Sequence, residues 1–469
     1  MSSSKPPLLP NATHDLATFA ARLKFEDIPK EVVEKAKYCM LDNAGCCLFG
    51  ITLPWTKHVL DMVESEGGKP AASVLGHGHK TSVSLAALVN STSAHAFELD
   101  DTHTQAIMHP GALAIPVSLA FAQAQGGAPG KHLITGIVAG YEVGTRVGNA
   151  ATMGLFYRGF HPQGTSGTFV AAAAAGRMLD LDPKRMIHAL GIVGSQAGGL
   201  MAAQEGAMVK RLHSGKAAQS GVYSALLAKG GFTGIQDVLE AGYGGYLSSH
   251  TDKPDPKLLT AGLGTDWETM KVGFKPYASV ASIHTALDAL LQIMKENKLK
   301  ADDIAEIEAG ISDMTFAHCA WEYNAQGVTA AQMNLYYGLS VVALDGMAFV
   351  DQYREDRLSD PRILDFIKRI KPVVDKRIEG MGPAVRHGAR VKVTARDGRT
   401  FEREILYRRG GAEDPLKPEE IEYKFKNVVR SILSQERVDK VMRLISTVDK
   451  LDTTKELIEI LAAPGANRR

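Results

Sequence analysis

Four cysteines, Cys39, Cys46, Cys47 and Cys319, are spread over 469 residues, and no two form a CxxC pair. That is too sparse for a disulfide framework; it predicts buried thiols in a reducing compartment, with the cytoplasm as the expected location. An excess of one charge is also missing: 53 basic residues face 52 acidic ones, with no long basic tract. A nucleic-acid or anionic-membrane partner would require such an excess, so neither is expected. Apolar runs are cut by Gly, His or charge well before the roughly 18 residues of a helical membrane span. The N-terminus, MSSSKPPLLPNATHDL, has no basic-then-apolar signal pattern. No GxSxG, HExxH, Walker or GxGxxG pattern is present. Nothing therefore points to a serine nucleophile, a nucleotide or a redox cofactor, and the expected cofactor list is empty.

What is present is alanine and glycine in helical rhythm. Residues 29–49, 80–98, 112–126, 131–150, 166–179, 184–204 and 215–230 all carry helical periodicity. Asp15 and Asp27 stand where early helices would be capped. Almost no β-alternation occurs before about residue 270. IAEIEAGIS (304–312) then alternates as a half-buried strand does, and ARVKVTARDGRTFEREILY (389–407) reads as a hairpin turning at Asp397-Gly398. Helical rhythm returns over 418–461, and the tail GANRR is expected to fray. The predicted architecture is mainly α: a helical domain over 1–270, a smaller α/β domain over 271–407, and a helical return over 408–469. A cleft between the two domains is the default ligand site.

Four stretches carry the chemistry. MVKRLHSGKAAQSGVYSALLAKGG (208–231) sets Lys210, Arg211, His213 and Lys216 among small residues, with no acid between Glu205 and Asp237. Charges on a solvated helix usually alternate in sign, so this block suits an anion seat as well as a basic helix start. HAFELDDTHTQAIMHPGA (95–112) crowds Glu98, Asp100, Asp101, Thr102, His103 and His109 between apolar runs. It reads as a metal site, as acids tuning a histidine, or as a loop whose aspartates cap a helix. GFHPQGTSGTFVAAAAAGRML (159–179) places His161 before a turn leading into a helix, where free N–H groups favour an anion. GFKPYASVASIHTALDAL (273–290) puts Lys275 at the domain junction, and His284 reads as a capping or core histidine. Together they give strictly local positive charge, which fits a small polycarboxylate substrate. His161 and His109 are placed to move protons beside a carboxylate, with cations stabilising the enolate-like charge that develops.

In their order, these segments resemble the MmgE/PrpD family. The likeness runs from YCMLDNAGCCLFG (38–50) through HAFELDDTH, the glycine turn and KRLHSGKAAQSG, then GGFTGIQDVLEAGYGGY, to YYGLSVVALDG (336–346). That family includes 2-methylcitrate dehydratase, cis-aconitate decarboxylase and iminodisuccinate epimerase. The resemblance implies a metal-independent homodimer, with a sequence-discontinuous helical domain and an α/β lid. Its pocket motifs fall on Glu98, Thr102, His109, His161, Lys210, Lys275 and Tyr337, with Arg211 and His213 beside Lys210. The expected roles are His161 as base and His109 as acid oriented by Glu98 and Thr102, or the two exchanged, with the lysines as carboxylate clamps and Tyr337 assisting proton transfer or positioning substrate. Two departures stand out. KPYASVASIH puts Val280 where the decarboxylase pattern has a histidine, and Glu98 replaces an aspartate. The expected activity is therefore dehydration of a 2-methylcitrate- or citrate-type hydroxy acid, ahead of epimerisation of an imino- or amino-dicarboxylate and of cis-aconitate decarboxylation.

Overall fold

A computed structural model describes residues 6–465. The helical body is built from the segments whose rhythm predicted it: Lys30–Gly50, Val83–Ala94, Gly111–Ala124, Gly130–Tyr157, Gly167–Met178, Pro183–Gly194 and Val209–Lys229. At its centre the 28-residue helix Gly130–Tyr157 lies against Gly167–Met178. Glycine recurs every fourth residue along the long helix, so one face has no side chains. A Cβ at Gly144 would lie 2.0 Å from a Val170 methyl and one at Gly140 2.8 Å from the Val170 carbonyl oxygen. The alanine run Ala171–Ala175, entirely buried, completes this close contact. Large side chains on either partner would force the two helices apart.

The second unit holds a four-stranded sheet in the order Ile370–Val374, Ile304–Ile311, Ala389–Ala395, Thr400–Ile405. The hairpin forms where Asp397-Gly398 predicted it, with Gly398 at φ 87°. Ile304–Ile311 pairs antiparallel with Ala389–Ala395 and parallel with Ile370–Val374. That last strand escaped the sequence reading because IKPVV carries a proline and lacks clean alternation; an edge position tolerates Pro372, which cannot donate to a ladder. Helix His284–Asn297 lies against the hairpin strands.

The chain then returns to the helical body. Phe425 on Pro418–Val429 packs against Gly45, and Lys424 pairs with buried Asp42 at 2.6 Å. Asp15 forms no cap, and Asp27 closes the short turn Phe25–Asp27 in place of capping Lys30–Gly50. Asn11 precedes the first helix and Asp15 lies inside its first turn, while the Asp27 carboxylate accepts from the Lys24 N–H. Of the tail expected to fray, Ala466–Arg469 lie outside the described residues, as do Met1–Lys5 of the N-terminal stretch. No described helix is long and apolar enough to cross a membrane.

Candidate active site

Chain topology gathers the four stretches. The loop after Val83–Ala94 carries Glu98, and its strand Thr102–His103 pairs antiparallel with Val272–Gly273. That short ladder ties the acidic loop to the domain junction and sets Lys275 beside Glu98. The basic helix Val209–Lys229 docks on Val83–Ala94 and Gly167–Met178. At Gly215 a Cβ would meet Thr92 Oγ1 at 2.1 Å, and at Gly221 one would meet Ala171 at 2.4 Å. The small residues of this helix thus let it come close enough for Lys210 and Arg211 to reach the loop.

All three cations converge on one carboxylate. Lys210 Nζ bonds Glu98 Oε1, Arg211 donates to the same oxygen at 2.6 Å, and Lys275 donates to Oε2 at 3.0 Å. All four groups are at least nine-tenths buried. Burial alone would push the Glu98 carboxyl up, but Lys210, Lys275 and Arg211 hold it well below the usual carboxylate range. Burial also draws the Lys210 amine down to about 8 against the pull of Glu98. Two of the cations stand in the first turn of a helix, where the dipole disfavours positive charge. Glu98 itself takes φ 55°, an uncommon conformation for a residue with a side chain.

Beside this cluster runs a row of histidines. The His109–His95, His95–His161 and His161–His213 ring centroids are 4.9, 6.0 and 5.1 Å apart. His109 Nδ1 lies 2.7 Å from the Asp101 carbonyl, which can only accept, so Nδ1 carries the proton and Nε2 the lone pair. His95 Nδ1 bonds Asp100 at 2.7 Å, and His161 shares a 2.8 Å hydrogen bond with His213, Nδ1 to Nδ1. Burial lowers all four: His109 to about 3, His213 to about 4, His161 well below its usual range, and His95 more modestly. At neutral pH these four imidazoles are therefore uncharged. His95, Asp100 and His109 offer ligand atoms within 4.8 Å of one another, a spacing that would suit a metal ion. However, Nδ1 of both histidines already serves as a hydrogen-bond donor.

The structure thus brings together Glu98, Thr102, His109, His161, Lys210, Arg211, His213 and Lys275. It alters two expected roles. Glu98 engages the cations and makes no bond to His109; the Asp101 carbonyl orients that ring, with Thr102 Oγ1 at 3.4 Å. Tyr337 is not brought to the cluster. It is fully buried within the second unit, its hydroxyl donating to the Gln352 carbonyl at 2.6 Å and its ring against Tyr323 and Tyr353. His103 bonds Glu268 at 2.8 Å, and His284 is a core histidine whose Nε2 meets the Ser279 carbonyl.

Other functional residues went unsingled in the sequence. Gln163 accepts from the His109 N–H and donates to the His109 carbonyl and to Ser214 Oγ, joining loop, turn and basic helix. Gln332 accepts from Arg211 and donates to the Phe97 and Ala278 carbonyls. Gln163 sits inside the quoted motif GFHPQG, so its neighbourhood was a signal; Gln332 had none. A small cavity of about 70 Å³ has Glu98, Thr102, His109, Lys275, Val280, His318 and His387 among the residues in its wall. A larger cleft of about 450 Å³, with Phe49, Trp55, Phe97 and Tyr353 in its wall, has its charged groups at exposed positions. Size does not mark the chemistry here; buried, convergent, titratable groups do.

A family model described as the MmgE/PrpD N-terminal domain matches residues 14–259, and one described as the MmgE/PrpD C-terminal domain matches 277–449. Lys275 falls in the short interval between them. A cis-aconitate decarboxylase-like protein, oryM, of Aspergillus oryzae is 31% identical over 96% of this chain and 97% of its own length. Cis-aconitate decarboxylase of Aspergillus terreus is 31% identical over 96% of each chain. The Homo sapiens protein of that name is 26% identical over 98% of this chain and 96% of its own.

Proposed function

The chain belongs to the MmgE/PrpD family, and from that premise we propose that it is a lyase of a cis-aconitate- or citrate-type tricarboxylate. One observation carries the reading: three buried cations share a single carboxylate. Unmatched buried charge is costly, and a polyanionic ligand relieves that cost. Lys210 and Lys275 take substrate carboxylates, partly in place of Glu98. Negative charge then develops on a carbon beside a bound carboxylate, and the same cations stabilise it. His161 and His109, uncharged at neutral pH, carry protons.

Loss of carbon dioxide is the favoured outcome, because the relatives at 31% identity bear decarboxylase names. The C–C bond breaks, its electron pair stays on the carbon, carbon dioxide leaves, and one proton is added to that carbon. Dehydration of a citrate or 2-methylcitrate is the second reading. It is favoured by Val280, an aliphatic side chain on the cavity wall where the decarboxylase pattern carries a histidine. There a carbon-bound proton moves to a histidine, the C–O bond breaks, and the departing hydroxide takes a proton to leave as water. The same reading takes two copies to pair through the exposed Tyr223, Leu226, Leu227 and Phe232. A sedimentation mass near twice 50.4 kDa supports pairing, and a mass near 50.4 kDa overturns it.

Proton NMR in deuterated water, with cis-aconitate, citrate and 2-methylcitrate as substrates, separates the chemistries. New alkene signals with release of carbon dioxide from cis-aconitate are expected. Alkene formed from citrate or 2-methylcitrate with all carbon retained would select dehydration. Deuterium entering with no net change would select epimerisation. Neither turnover nor a rise in Tm with any of these acids would overturn the tricarboxylate reading.

A further inference from the structure

The cavity has a wall that the motifs did not describe. Helix Asp313–Cys319 of the second unit carries His318 in its last turn. His318 lines the same cavity as Glu98, Thr102, His109 and Lys275. It is fixed from both sides: the His318 carbonyl accepts from Trp321 Nε1 at 3.2 Å, and the ring meets Phe156 of the long central helix edge-on at 5.7 Å. Beneath it Cys319 is fully buried.

Hydrogen bonding sets this histidine, and His387 in the same cavity, apart from the row. The four histidines of the row each have a ring nitrogen bound to a carbonyl, a carboxylate or another imidazole. His318 has no ring hydrogen bond among the described residues, yet it feels the charges of Lys210 and Glu98. Val280, on the same wall, carries no proton at all. A positioned, unbonded imidazole facing a cationic seat has one obvious partner, the ligand that fills the seat.

We propose that His318 is a catalytic residue supplied by the second unit: it contacts the bound tricarboxylate and delivers the proton that completes the reaction. This rests on the tricarboxylate reading above. Decarboxylation of a tricarboxylate leaves an electron pair on carbon and consumes one proton; His318 gives that proton to the carbon and returns to the neutral form. In the dehydration reading it gives the proton to the departing hydroxide. The proton arrives with the substrate. Burial and Lys210 hold the His318 ring down at about 4, against a raising effect from Glu98. His387, on the same wall, is also lowered by burial and by Arg386. The negative charges of a bound trianion oppose Lys210 directly and favour the imidazolium.

The test joins kinetics to proton counting. His318→Gln keeps the volume and polarity of the side chain but cannot carry a proton. It is expected to lower kcat by about 10²–10³-fold, the range for loss of a general acid, with KM changed much less. Tricarballylate, an unreactive tricarboxylate, is used for calorimetry at pH 7 in buffers of different ionisation enthalpy. Wild type is expected to take up about one proton on binding and His318→Gln close to none. Wild-type kcat in the variant, or equal proton uptake by both proteins, overturns the proposal while leaving the tricarboxylate reading intact. Absence of both binding and turnover in wild type overturns the two together.

Discussion

Glu98 and Glu142 are both almost completely buried carboxylates, and they have opposite uses. Glu142, on the long central helix, is saturated: it accepts from the Glu268 and Thr269 N–H groups and the Thr269 hydroxyl, and pairs with Arg146 at 2.5 Å. One cation meets one anion, and Arg146 continues to the Asp266 carbonyl at 2.6 Å. Glu98 meets three cations and, among the described residues, no backbone donor; counting buried Asp100, which acts on Lys275, one formal positive charge remains unmatched. The first arrangement is closed and holds the junction segment onto the helical body. The second is open in charge although closed in space. Net balance, more than burial or ion-pair distance, separates a staple from a seat.

The sharpest way to break this comparison is to remove one charge from each cluster and read two quantities. Lys275→Met is expected to cost at least about 10³-fold in kcat/KM, since a charge acting on the transition state is lost in a dry site. Its Tm is expected to hold or rise, because an unbalanced buried charge has gone. Steady-state kinetics and calorimetry check both; a large fall in Tm with kcat/KM kept would reverse the assignment. Glu142→Gln is expected to do the reverse. Leaving Arg146 buried and unpaired costs about 3–5 kcal/mol of stability, while kcat/KM of the folded protein stays within about twofold. Denaturant unfolding alongside the same kinetics decides it.

A third carboxylate sharpens the contrast by having no cation contact. Asp101 accepts from Tyr141 at 2.6 Å and from the Gly111 N–H at 3.0 Å, and burial lifts its pKa from 3.8 to about 7. Its folded value lies above its unfolded value, so the native state holds an extra proton between them. The stability linked to that proton is complete below about pH 4 and is lost as pH rises through 7. Asp101→Asn cannot titrate, so its Tm is expected to gain on wild type from pH 5 to pH 8. A difference that does not change with pH would show that Asp101 is ionised throughout.

The sequence made the local features legible. Helical rhythm, the Asp397-Gly398 turn and the basic block depend on neighbours within a few residues, and each appears near where it was read. The helix read over 184–204 nevertheless ends at Gly194, the one read over 131–150 runs to Tyr157 and the one read from 215 begins at Val209. Partner choice is another matter. The spacing in HAFELDDTH shows that acids crowd together, yet nothing local says that Glu98 turns to lysines 112 and 177 residues away while the Asp101 carbonyl orients His109. Tyr337 lies three residues past Asn334, whose side chain caps its helix, and the turn of that helix aims the ring at Tyr323 and Tyr353 instead of the cavity. His318 ends a short helix in the unremarkable stretch TFAHCAW; only the docking of the second unit against Phe156 gives it meaning. The carbonyls gripped by Gln332, at Phe97 and Ala278, lie 235 and 54 residues from it in the chain.

Gly215 has a consequence beyond close contact. It lies more than one turn along the helix from Lys210, at a point where the gap to Thr92 and Leu88 admits a hydrogen atom and little else. The helix behaves as a beam pivoted there, so a single methyl at the pivot is expected to tilt its N-terminal end and swing Lys210 away from the loop. The reach of the cation is therefore gauged by a residue that touches nothing in the cavity. Refitting this cavity to a longer or shorter acid would come sooner from shimming the pivot than from exchanging the residues that line the cavity.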